Sequence, residues 1–519
     1  MPVDLLIITG DSSVEFLEDP SRVARDVRAI NHSLYEFHGF MGMRVLGPYK
    51  AAWAVRQHGY SCQVISKIQL MPIEELIKIC EPFVNEKTII GIGTTLVSYV
   101  VFDYSQEAFM KKLSPQSVVY KFIKLIEHFK NKYNTKVVIG GSQAVAFKHI
   151  LKHDYLIQGE AENKLPQLMD RIRRGGIQKR PYDWKITGCD FKWHSSDFIV
   201  NKEPVPIETS RGCIFRCKFC QFDNIGKKVG TFERPLQCVK EEIIDNYTKY
   251  GTTHYWLTDD TFNDNNDRVI EFCDMVETLP FRINFMGYLR LDLAHRFQST
   301  ARRLYKAGLV GCSLGIESFH PEAARAVGKS FSAKHGKEFL DYFYHDICDS
   351  NITINCCNII GLPGETVDHI SQTLDWYRKR PHIHTNWSAL TIFDPKRLPP
   401  EQATSVFERE ALEYGYQFFK EKPMNYWERQ EMSSVRAKEI HEKVIRYMKP
   451  HNINAGEPWL SMHYLSILNL TPKEARKIGW QEIYLNKTDI VKANNARYFD
   501  MLKSNIVGLK HENKIYCET

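Results

Sequence analysis

The sequence predicts an α/β protein with three parts: an N-terminal doubly wound parallel sheet, a central partial (β/α)6 TIM-like barrel and a mostly helical C-terminal domain. Short apolar runs alternate with amphipathic stretches in residues 1–175 and again in residues 205–395. Strands that alternate with helices form parallel sheets. A polar, Pro-punctuated stretch separates the two regions, and helix formers dominate the end of the chain. We therefore place domain boundaries at 1–175, 176–204 (a linker), 205–395 and 396–519.

Size and composition are those of a multidomain globular protein. A chain of 519 residues is long enough for two to four domains. No uninterrupted apolar run approaches the length of about 20 residues that spans a bilayer. The first nine residues contain Asp4 and no basic leader, so we expect a first strand there and not a signal peptide. The thirteen cysteines are scattered and odd in number, which indicates a reducing compartment. We expect a cytoplasmic protein without a membrane partner.

Charge and cysteine placement give two further expectations. The net charge of +7 is mild for this length, which argues against a nucleic-acid partner without excluding one. Five lysines at roughly helical spacing predict a solvated helix face: Lys121, Lys124, Lys130, Lys132 and Lys136. Four cysteines in apolar runs are predicted to be buried free thiols: Cys273, Cys312, Cys356 and Cys357.

The N-terminal sheet is predicted from five short apolar runs with helical patterns between them. The strands lie at 3–9, 61–65, 88–92, 136–139 and 155–158, and the helices at 46–59, 72–83 and 114–133 and after residue 162. Ligands of such sheets bind beyond the carboxyl ends of the strands. Those ends carry small or polar residues that are candidates for binding: Thr94, Thr95, Gly140, Gly141, Gly159 and Glu160.

The barrel is predicted from six strand–helix units in series. The strands lie at 205–209, 254–258, 282–288, 311–316, 353–360 and 386–393, and the helices at 234–250, 263–275, 300–307, 333–348 and 367–378. Functional residues of such barrels lie at the carboxyl ends of the strands. Polar residues or tight turns follow four of these strands: Asp259 and Asp260, Arg290, Glu317 and Ser318, and Gly361 to Glu365.

Three cysteines follow the first barrel strand: Cys213, Cys217 and Cys220. Soft thiolates favour zinc, copper(I) or iron–sulfur clusters. A structural zinc site takes four ligands, and no His or Cys occurs in the next fifteen residues. A [4Fe–4S] cluster takes four cysteines, so three leave one iron open to a ligand that is not a side chain. Gly212 permits a tight turn before the first thiol, and Phe219 can shield the cluster from water.

This loop resembles the signature of the radical SAM superfamily, which has three cysteines at this spacing and an aromatic residue before the third. The resemblance implies a [4Fe–4S] cluster on the three cysteines and S-adenosylmethionine on the open iron. It implies reductive cleavage of that cofactor to a 5′-deoxyadenosyl radical, and a reductant such as flavodoxin or ferredoxin. The cysteines alone also leave open a zinc site, or a non-enzymatic iron–sulfur protein that binds a partner.

Further motifs extend the resemblance over residues 205–395. Asp259 and Asp260 stand where the superfamily holds the amino group of S-adenosylmethionine. Arg290 would pair with its carboxylate or ribose, since a planar donor fork suits either. Glu317 would face the ribose hydroxyls or the methionine end. The cofactor-binding residues that the resemblance implies are Phe219, Asp259, Asp260, Arg290, Glu317, Ser318, Lys329 and Gly361.

The N-terminal part resembles the cobalamin-binding domain that precedes the barrel in one radical SAM class. The matching segments are Leu46-Gly47, Ile90 to Thr94, Val138 to Gly141 and Gly159 to Glu162. They imply that Gly47, Thr94, Thr95, Gly140, Gly141, Gly159 and Glu160 contact cobalamin. No Asp-x-His-x-x-Gly loop follows the first strand, so no His of that kind ligates cobalt. The alternative is a flavodoxin-like sheet with a structural or substrate-binding role.

The combined resemblance implies a cobalamin-dependent radical SAM enzyme that transfers a methyl group to an unactivated carbon. The alternative enzyme uses the same radical for cyclisation, isomerisation or oxidation. The substrate is a small molecule or a nucleotide, and no residue identifies it further. For residues 396–519 we expect helices, including one at 434–448, that cover the barrel mouth or pack against the open barrel edge. In the first case Trp427 and Met432 would lie near the mouth.

Overall fold

The computed structural model describes most of the chain. The described residues are 2–10, 43–95, 117–175, 189–221, 224–329, 333–398, 404–430, 432–448, 458–479 and 496–506, with Val97 and five single residues between these ranges. Residues 11–42 and 98–116 lie outside this set, as does most of the first half of the predicted linker. None of the described helices is both long enough and apolar enough to cross a lipid bilayer.

A five-stranded parallel sheet forms the N-terminal part, as predicted. Its strand order is β2-β1-β3-β4-β5, a doubly wound arrangement that places ligands at the carboxyl edge. The strands are β1 (Leu5–Thr9), β2 (Cys62–Ile65), β3 (Ile89–Gly93), β4 (Lys136–Gly140) and β5 (Tyr155–Ile157). The helices are α1 (Leu46–Gln57), α2 (Ile73–Cys80), α3 (Val118–Tyr133), α4 (Ala144–Phe147) and α5 (Ala161–Arg174).

The central part is a six-stranded parallel sheet whose strands follow one another in sequence order, which confirms the predicted partial barrel. Its strands are β6 (Val205–Ile207), β7 (His254–Leu257), β8 (Asn284–Leu289), β9 (Leu309–Glu317), β10 (Thr353–Ile360) and β11 (Ile383–Ala389). The predicted position of the last strand, 386–393, is wrong by several residues. The backbone leaves the sheet after Ala389, and Phe393 N–H donates instead to the Glu408 carboxylate at 2.8 Å.

Helices surround the barrel sheet and one of them ends irregularly. They are α6 (Leu236–Tyr250), α7 (Asn266–Glu277), α8 (Leu291–Arg296), α9 (Gln298–Ala307), α10 (Pro321–Val327), α11 (Ala333–Tyr342) and α12 (Val367–Arg378). The predicted helix 333–348 has its last turn, Phe343–Ile347, in the wider π-helical form. A π turn inserts one residue into the helix, so it shifts the helix face that follows.

The C-terminal part is less uniformly helical than predicted. After the short helix α13 (Val406–Arg409), it forms a three-stranded antiparallel sheet from β12 (Gln417–Phe418), β13 (Trp427–Arg429) and β14 (Met432–Ser433). The helices that follow are α14 (Ser434–Met448), α15 (Pro458–Leu468) and α16 (Pro472–Ile478), and residues 496–506 are also helical. The predicted helix 434–448 is confirmed.

Each C-terminal segment covers a different surface. Helix α14 packs against the exposed edge strand β11. At the carboxyl end of β10, the Tyr416 hydroxyl donates to Gly361 O at 3.0 Å. Helices α15 and α16 close the amino end of the barrel, where Ser466 donates to Lys202 O and Arg476 to Ile352 O, both at 2.8 Å. Residues 496–506 pack on the N-terminal sheet.

The described end of the predicted linker, residues 189–204, is part of the hydrophobic core. Phe191 and Trp193 are 1% and 2% exposed. The Trp193 ring packs edge-on against Tyr49 of α1, with 4.8 Å between centroids. One apolar cluster runs from helices α1 and α5 through these aromatic residues to the barrel. The polar composition of residues 176–204 concealed these few large apolar side chains.

Two expectations about single side chains are wrong. Lys121 is 2% exposed, because α3 turns it inward and its ammonium donates to Ile68 O and Gln69 O at 3.0 and 3.1 Å. Cys357 is half-buried and faces the barrel interior, whereas Cys273, Cys312 and Cys356 are fully buried as predicted. Strand alternation separates Cys356 from Cys357, since neighbouring residues of a strand point to opposite faces.

A buried group of charges lies between α1 and the segment that enters the barrel. The Glu203 cluster consists of Arg44, Lys67 and Glu203, all fully buried, with Arg44–Glu203 and Lys67–Glu203 separations of 3.0 and 2.7 Å. Burial opposes the ionisation of Glu203, but the two cations outweigh it and hold its pKa at about 2.

We expect Glu203→Gln to lower the free energy of unfolding by about 3–5 kcal/mol, because it leaves two buried cations without their counter-charge. Denaturant unfolding measures this change. The control is Glu127→Gln, which removes an exposed Lys124–Glu127 pair on α3 and should cost at most about 1 kcal/mol. Equal effects of the two substitutions would contradict the expectation.

Candidate active site at the carboxyl ends of the barrel strands

The cysteine loop begins where β6 ends, and Asp259 binds Thr209 near the start of the loop. The Asp259 carboxylate accepts from Thr209 N–H at 2.8 Å and from the Thr209 hydroxyl. Asp259 is 1% exposed, and burial raises its pKa to about 6 although the Thr209 bonds oppose the rise. Both oxygens of Asp259 therefore serve the loop, and the neighbouring Asp260 is the exposed member of the predicted pair.

Backbone hydrogen bonds fix the shape of the loop. Gly226 N–H donates to Cys213 O at 2.7 Å, and Lys218 N–H donates to Val327 O at 3.4 Å. Phe407 N–H of α13 donates back to Lys218 O at 3.0 Å. Gly212 has φ +79°, and a Cβ there would lie 2.6 Å from Asn224 Cβ, so the turn before the first thiol requires glycine. This confirms the turn that the sequence predicts at Gly212.

The three thiols are all half-buried in one loop, and the neighbours of Cys213 and Cys217 include a hydroxyl group and a cation. The Cys213 thiol lies 3.3 Å from the Thr261 hydroxyl, and Arg290 Nη1 lies 3.6 Å from Cys217 Sγ. Burial raises the pKa of the Cys213 thiol. Among the described residues, no three His, Cys, Asp or Glu side chains converge on one ion. Three soft ligands beside a buried guanidinium fit a cluster in which each thiolate binds a different iron.

Arg290 is held in place by its own partners. Its Nε donates to Asp292 at 3.0 Å, and its guanidinium stacks 3.8 Å above the Phe215 ring. The predicted contact of Arg290 with a cofactor carboxylate therefore stays a prediction, because the structure directs one face of the fork at Asp292 and one nitrogen at Cys217.

Glu317 and Lys329 meet at the end of β9. Their charged atoms are 3.5 Å apart, and Lys329 Nζ also donates to Gly315 O at 2.9 Å. Glu317 has φ +63°, a conformation that is uncommon for a residue with a Cβ and that concentrates at functional sites. A Cβ at Gly315 would lie 2.6 Å from the Glu317 carboxylate, so this glycine makes room for the pair.

Ser318 binds a second buried acid that sequence reasoning did not single out. The Ser318 hydroxyl donates to Glu365 Oε1 at 2.6 Å, and burial raises the pKa of Glu365 to about 8. Gly361, at the start of the same turn, has φ +104°, and a Cβ there would lie 2.8 Å from the Trp427 ring. Trp427, which belongs to the small C-terminal sheet, therefore lies next to Gly361 near the barrel mouth.

The interior face of the barrel is polar above its base. The strand register aligns two rows of residues on this face. The lower row, across β8 to β11, consists of Tyr288, Ser313, Asn355 and His384. The upper row, across β9 to β11, consists of Gly315, Cys357 and Asn386. Asn355 Nδ2 donates to Ser313 Oγ at 3.1 Å. Tyr288, Cys357 and Asn386 are half-buried, so they reach the free space of the interior. Below them Met286, Trp256 and Met462 of α15 form an apolar floor.

Predicted cofactor residues of the N-terminal sheet meet at its carboxyl edge. Thr94 donates to Gly140 O through both its N–H and its hydroxyl, each at 2.9 Å. A Cβ at Gly141, which has φ +106°, would lie 2.8 Å from Thr95 N and Oγ1, and one at Gly47 would lie 3.8 Å from Thr95 Oγ1. The edge is therefore lined by backbone and small side chains, which lets a large flat ligand approach closely.

A group of buried charges joins this sheet to the cysteine loop, and sequence reasoning missed most of it. The loop ion cluster consists of Lys50 and Glu162 from α1 and α5, and Glu208 and Arg211 from the start of the loop. Arg211 lies 2.8 Å from both Glu208 and Glu162, and Lys50 contacts Glu208 directly. Glu208 lies three residues before Arg211, but Glu162 lies 49 residues before it. Lys50 lies 158 residues before Glu208, so no local sequence pattern indicates the cluster.

The fold and the three-cysteine loop define a class of protein, and comparison with known families agrees. The sequence model of the Radical SAM superfamily matches residues 207–377, which include the whole cysteine loop and strands β7 to β10. The chain thus carries a radical SAM domain at this position.

Two solved structures share the architecture of nearly the whole chain. One is the radical S-adenosylmethionine methyltransferase TsrM from Kitasatospora setae with cobalamin and a [4Fe–4S] cluster, at a TM-score of 0.55 and 15% identity, covering 82% of each chain. The other is the cobalamin-dependent S-adenosylmethionine radical enzyme OxsB with aqua-cobalamin and S-adenosylmethionine, at 0.54 and 13%, covering 98% of this chain and 81% of that one. These likenesses confirm the predicted fold.

Curated relatives match part of the sequence. An uncharacterised methyltransferase of Pyrococcus horikoshii is 22% identical over 50% of this chain and 61% of its own. The bacteriochlorophyllide d C-8(2)-methyltransferase of Chlorobaculum tepidum is 24% identical over 40% of this chain and 49% of its own. The alignments thus span about half the length of these relatives.

We expect Glu365→Gln to reduce the loss of stability that accompanies rising pH. Glu365 has a folded pKa of about 8 against an ordinary 4.5, so the folded state keeps a proton that the unfolded state loses. That contribution to stability is complete below pH 4.5 and declines as the pH rises towards 8. Thermal unfolding from pH 5 to 8 measures it, and the exposed Glu439→Gln is the control. An unchanged pH profile in Glu365→Gln would contradict the assignment.

Proposed function

We propose that this protein is a cobalamin-dependent radical SAM methyltransferase that transfers a methyl group to an unactivated carbon. The proposal rests on the loop of three half-buried thiols at the end of β6. This loop packs against helices α1 and α5, which flank the second parallel sheet. In TsrM and OxsB the same two-part fold accompanies cobalamin. The two curated relatives described above are named as methyltransferases.

The residues present fit three cofactors. Cys213, Cys217 and Cys220 would hold a [4Fe–4S] cluster, and the turns at Asp260, Glu317 and Gly361 would hold S-adenosylmethionine. The flat edge formed by Gly47, Thr95 and Gly141 would hold cobalamin. When bound, these groups supply an electron, a 5′-deoxyadenosyl radical and a methyl group.

The chain's own residues position and shield these groups. Asp259 and the backbone bonds of the loop hold the segment that carries the three thiols. Arg290 places positive charge beside the Cys217 thiol and is itself oriented by Asp292. The Glu317–Lys329 pair presents one negative and one positive charge at the mouth, which suits a zwitterionic ligand such as the amino-acid end of S-adenosylmethionine. The aromatic rings of Phe219 and Trp427 help to exclude water from the site.

The polar interior supports a substrate that carries hydrogen-bonding groups. Asn386, Cys357 and Tyr288 are the half-buried residues that such a molecule would meet first. A small molecule or a nucleotide fits this description. We further propose a low-potential reductant such as flavodoxin or ferredoxin as partner, and a cytoplasmic location, where the free cysteines of the described chain would stay reduced.

Replacing one cluster cysteine tests the proposal. We expect Cys217→Ala to lose most of the bound iron and to form no 5′-deoxyadenosine under reducing conditions, because two thiolates do not retain the cluster. The matched control is Cys238→Ala, a half-buried cysteine on α6 outside the loop, which should keep both. Iron analysis, chromatography and product mass are the measurements. A wild-type protein that carries a full cluster yet releases no 5′-deoxyadenosine would disprove the proposal, and a product without an added methyl would restrict it to the radical step.

The cobalamin edge has its own test. We expect Gly141→Ala to weaken hydroxocobalamin binding at least about tenfold, because the new Cβ would displace Thr95 from its position 2.8 Å away. Gly175→Ala is the control, since Gly175 also has a positive φ, +59°, but has no atom within 4 Å of a new Cβ. Absorbance titration measures both. Equal binding by the two variants would remove Gly141 from the site.

A further inference from the structure

The loop ion cluster joins the two parts of the chain at the base of the cysteine loop. Lys50 and Glu162 belong to helices that flank the N-terminal sheet, whereas Glu208 and Arg211 follow β6. Lys50 contacts Glu208 and lies 3.9 Å from Glu162, and Arg211 lies 2.8 Å from each of the two acids. Each cation thus touches one acid of its own part and one of the other.

These charges lie in an environment that strengthens their attraction. The side chains of Lys50 and Glu162 are 3% and 6% exposed, and those of Glu208 and Arg211 are 11% and 22% exposed. Apolar residues of both parts surround them in one continuous cluster. Burial opposes the ionisation of Glu208, but Lys50 and Arg211 outweigh it and hold its pKa at about 2. Charges in such a medium interact more strongly than charges in water, so the geometry is tightly fixed.

The position of Arg211 connects this cluster to the first thiol. Only Gly212 separates Arg211 from Cys213, and its required φ of +79° leaves the turn little freedom. Arg211 N–H also donates to Phe232 O at 2.9 Å, so its backbone is fixed while its side chain reaches across the interface. On the far side, Arg211 Nη1 lies 3.6 Å from Glu160, at the carboxyl edge of the N-terminal sheet. Arg211 therefore links the backbone next to Cys213 to Glu160, a residue predicted to contact cobalamin.

We propose that Lys50 and Glu162 are positioning residues for the iron–sulfur cluster, acting through Glu208 and Arg211. This inference rests on the proposed function. The N-terminal part would then do more than carry its own ligand: its charges would set the orientation of the Cys213 thiolate and the electron affinity of the cluster. No residue of the N-terminal part that the structure describes needs to touch the cluster for this effect.

The alternative is that the loop ion cluster only holds the two parts of the chain together. The Glu203 cluster provides the comparison, because it is at least as buried, is also charged and joins Arg44 and Lys67 of the N-terminal part to Glu203 before β6, outside the loop. Loss of a charge from either cluster should lower stability. Only loss from the loop ion cluster should alter the iron–sulfur centre.

The experiment compares Lys50→Met, Glu162→Gln and the control Lys67→Met in the full-length, anaerobically reconstituted protein. Electron paramagnetic resonance of the reduced cluster, its midpoint potential and iron content are measured, with thermal unfolding alongside. We expect Lys50→Met to make the cluster harder to reduce, because a positive charge is lost, and Glu162→Gln to make it easier to reduce. Lys67→Met should lower the melting temperature but leave the spectrum and the potential at wild-type values.

Two results would overturn the inference. One is that both loop-cluster variants keep the wild-type spectrum and potential, and the other is that Lys67→Met shifts them equally. If Lys50→Met does not fold, the isosteric Glu162→Gln decides the question, with Lys50→Arg expected to restore wild-type values. The readouts require only a cluster, so they remain informative even if the wild-type protein transfers no methyl group, which would refute the proposed function separately.

Discussion

An irregular loop must hold three thiols in fixed positions, and the rest of the structure depends on how that is achieved. The described residues of the loop form no helix or strand, so contacts with the surrounding elements hold it together with its own backbone bonds. Asp259 binds Thr209 near the start of the loop, and Val327 and Phe407 bind Lys218 in its middle. Arg211 pairs with Glu162 of α5, beside the N-terminal sheet. Each contact comes from a different element. A site built from one loop is therefore as rigid as the frame of strands and helices around it.

Charge is distributed unevenly between the mouth and the interior of the barrel. Arg290, Lys329 and Arg211 lie around the cysteine loop and the strand ends, each paired with an acid. The interior rows consist of hydroxyl, amide, thiol and imidazole groups. Paired charges at the mouth are suited to charged cofactors, while neutral hydrogen-bonding groups below are suited to orienting an uncharged part of a substrate. The two regions thus divide the work of binding.

Sequence patterns predicted the regular elements well and the interfaces poorly. Both sheets follow from alternating apolar runs, because those runs are local in the chain. The cysteine loop and the glycine turn before it were also visible, since three thiols and a glycine lie within nine residues. By contrast, Arg211 also pairs with Glu162 of α5, and no local pattern relates residues so far apart in the chain. The core role of Trp193 was hidden for a similar reason: one large side chain does not change the character of a polar segment.

The helical segment 496–506 has a consequence for how the protein is made. Tyr498, Phe499, Leu502 and Ile506 are buried against the N-terminal sheet, in the same apolar cluster as β1 and α3. Domains usually fold as they leave the ribosome, from the amino end onwards. Here the first sheet cannot complete its hydrophobic surface until residues 496–506 have been translated. During synthesis that apolar surface stays exposed to water until this segment is made, and slow translation would prolong the exposure.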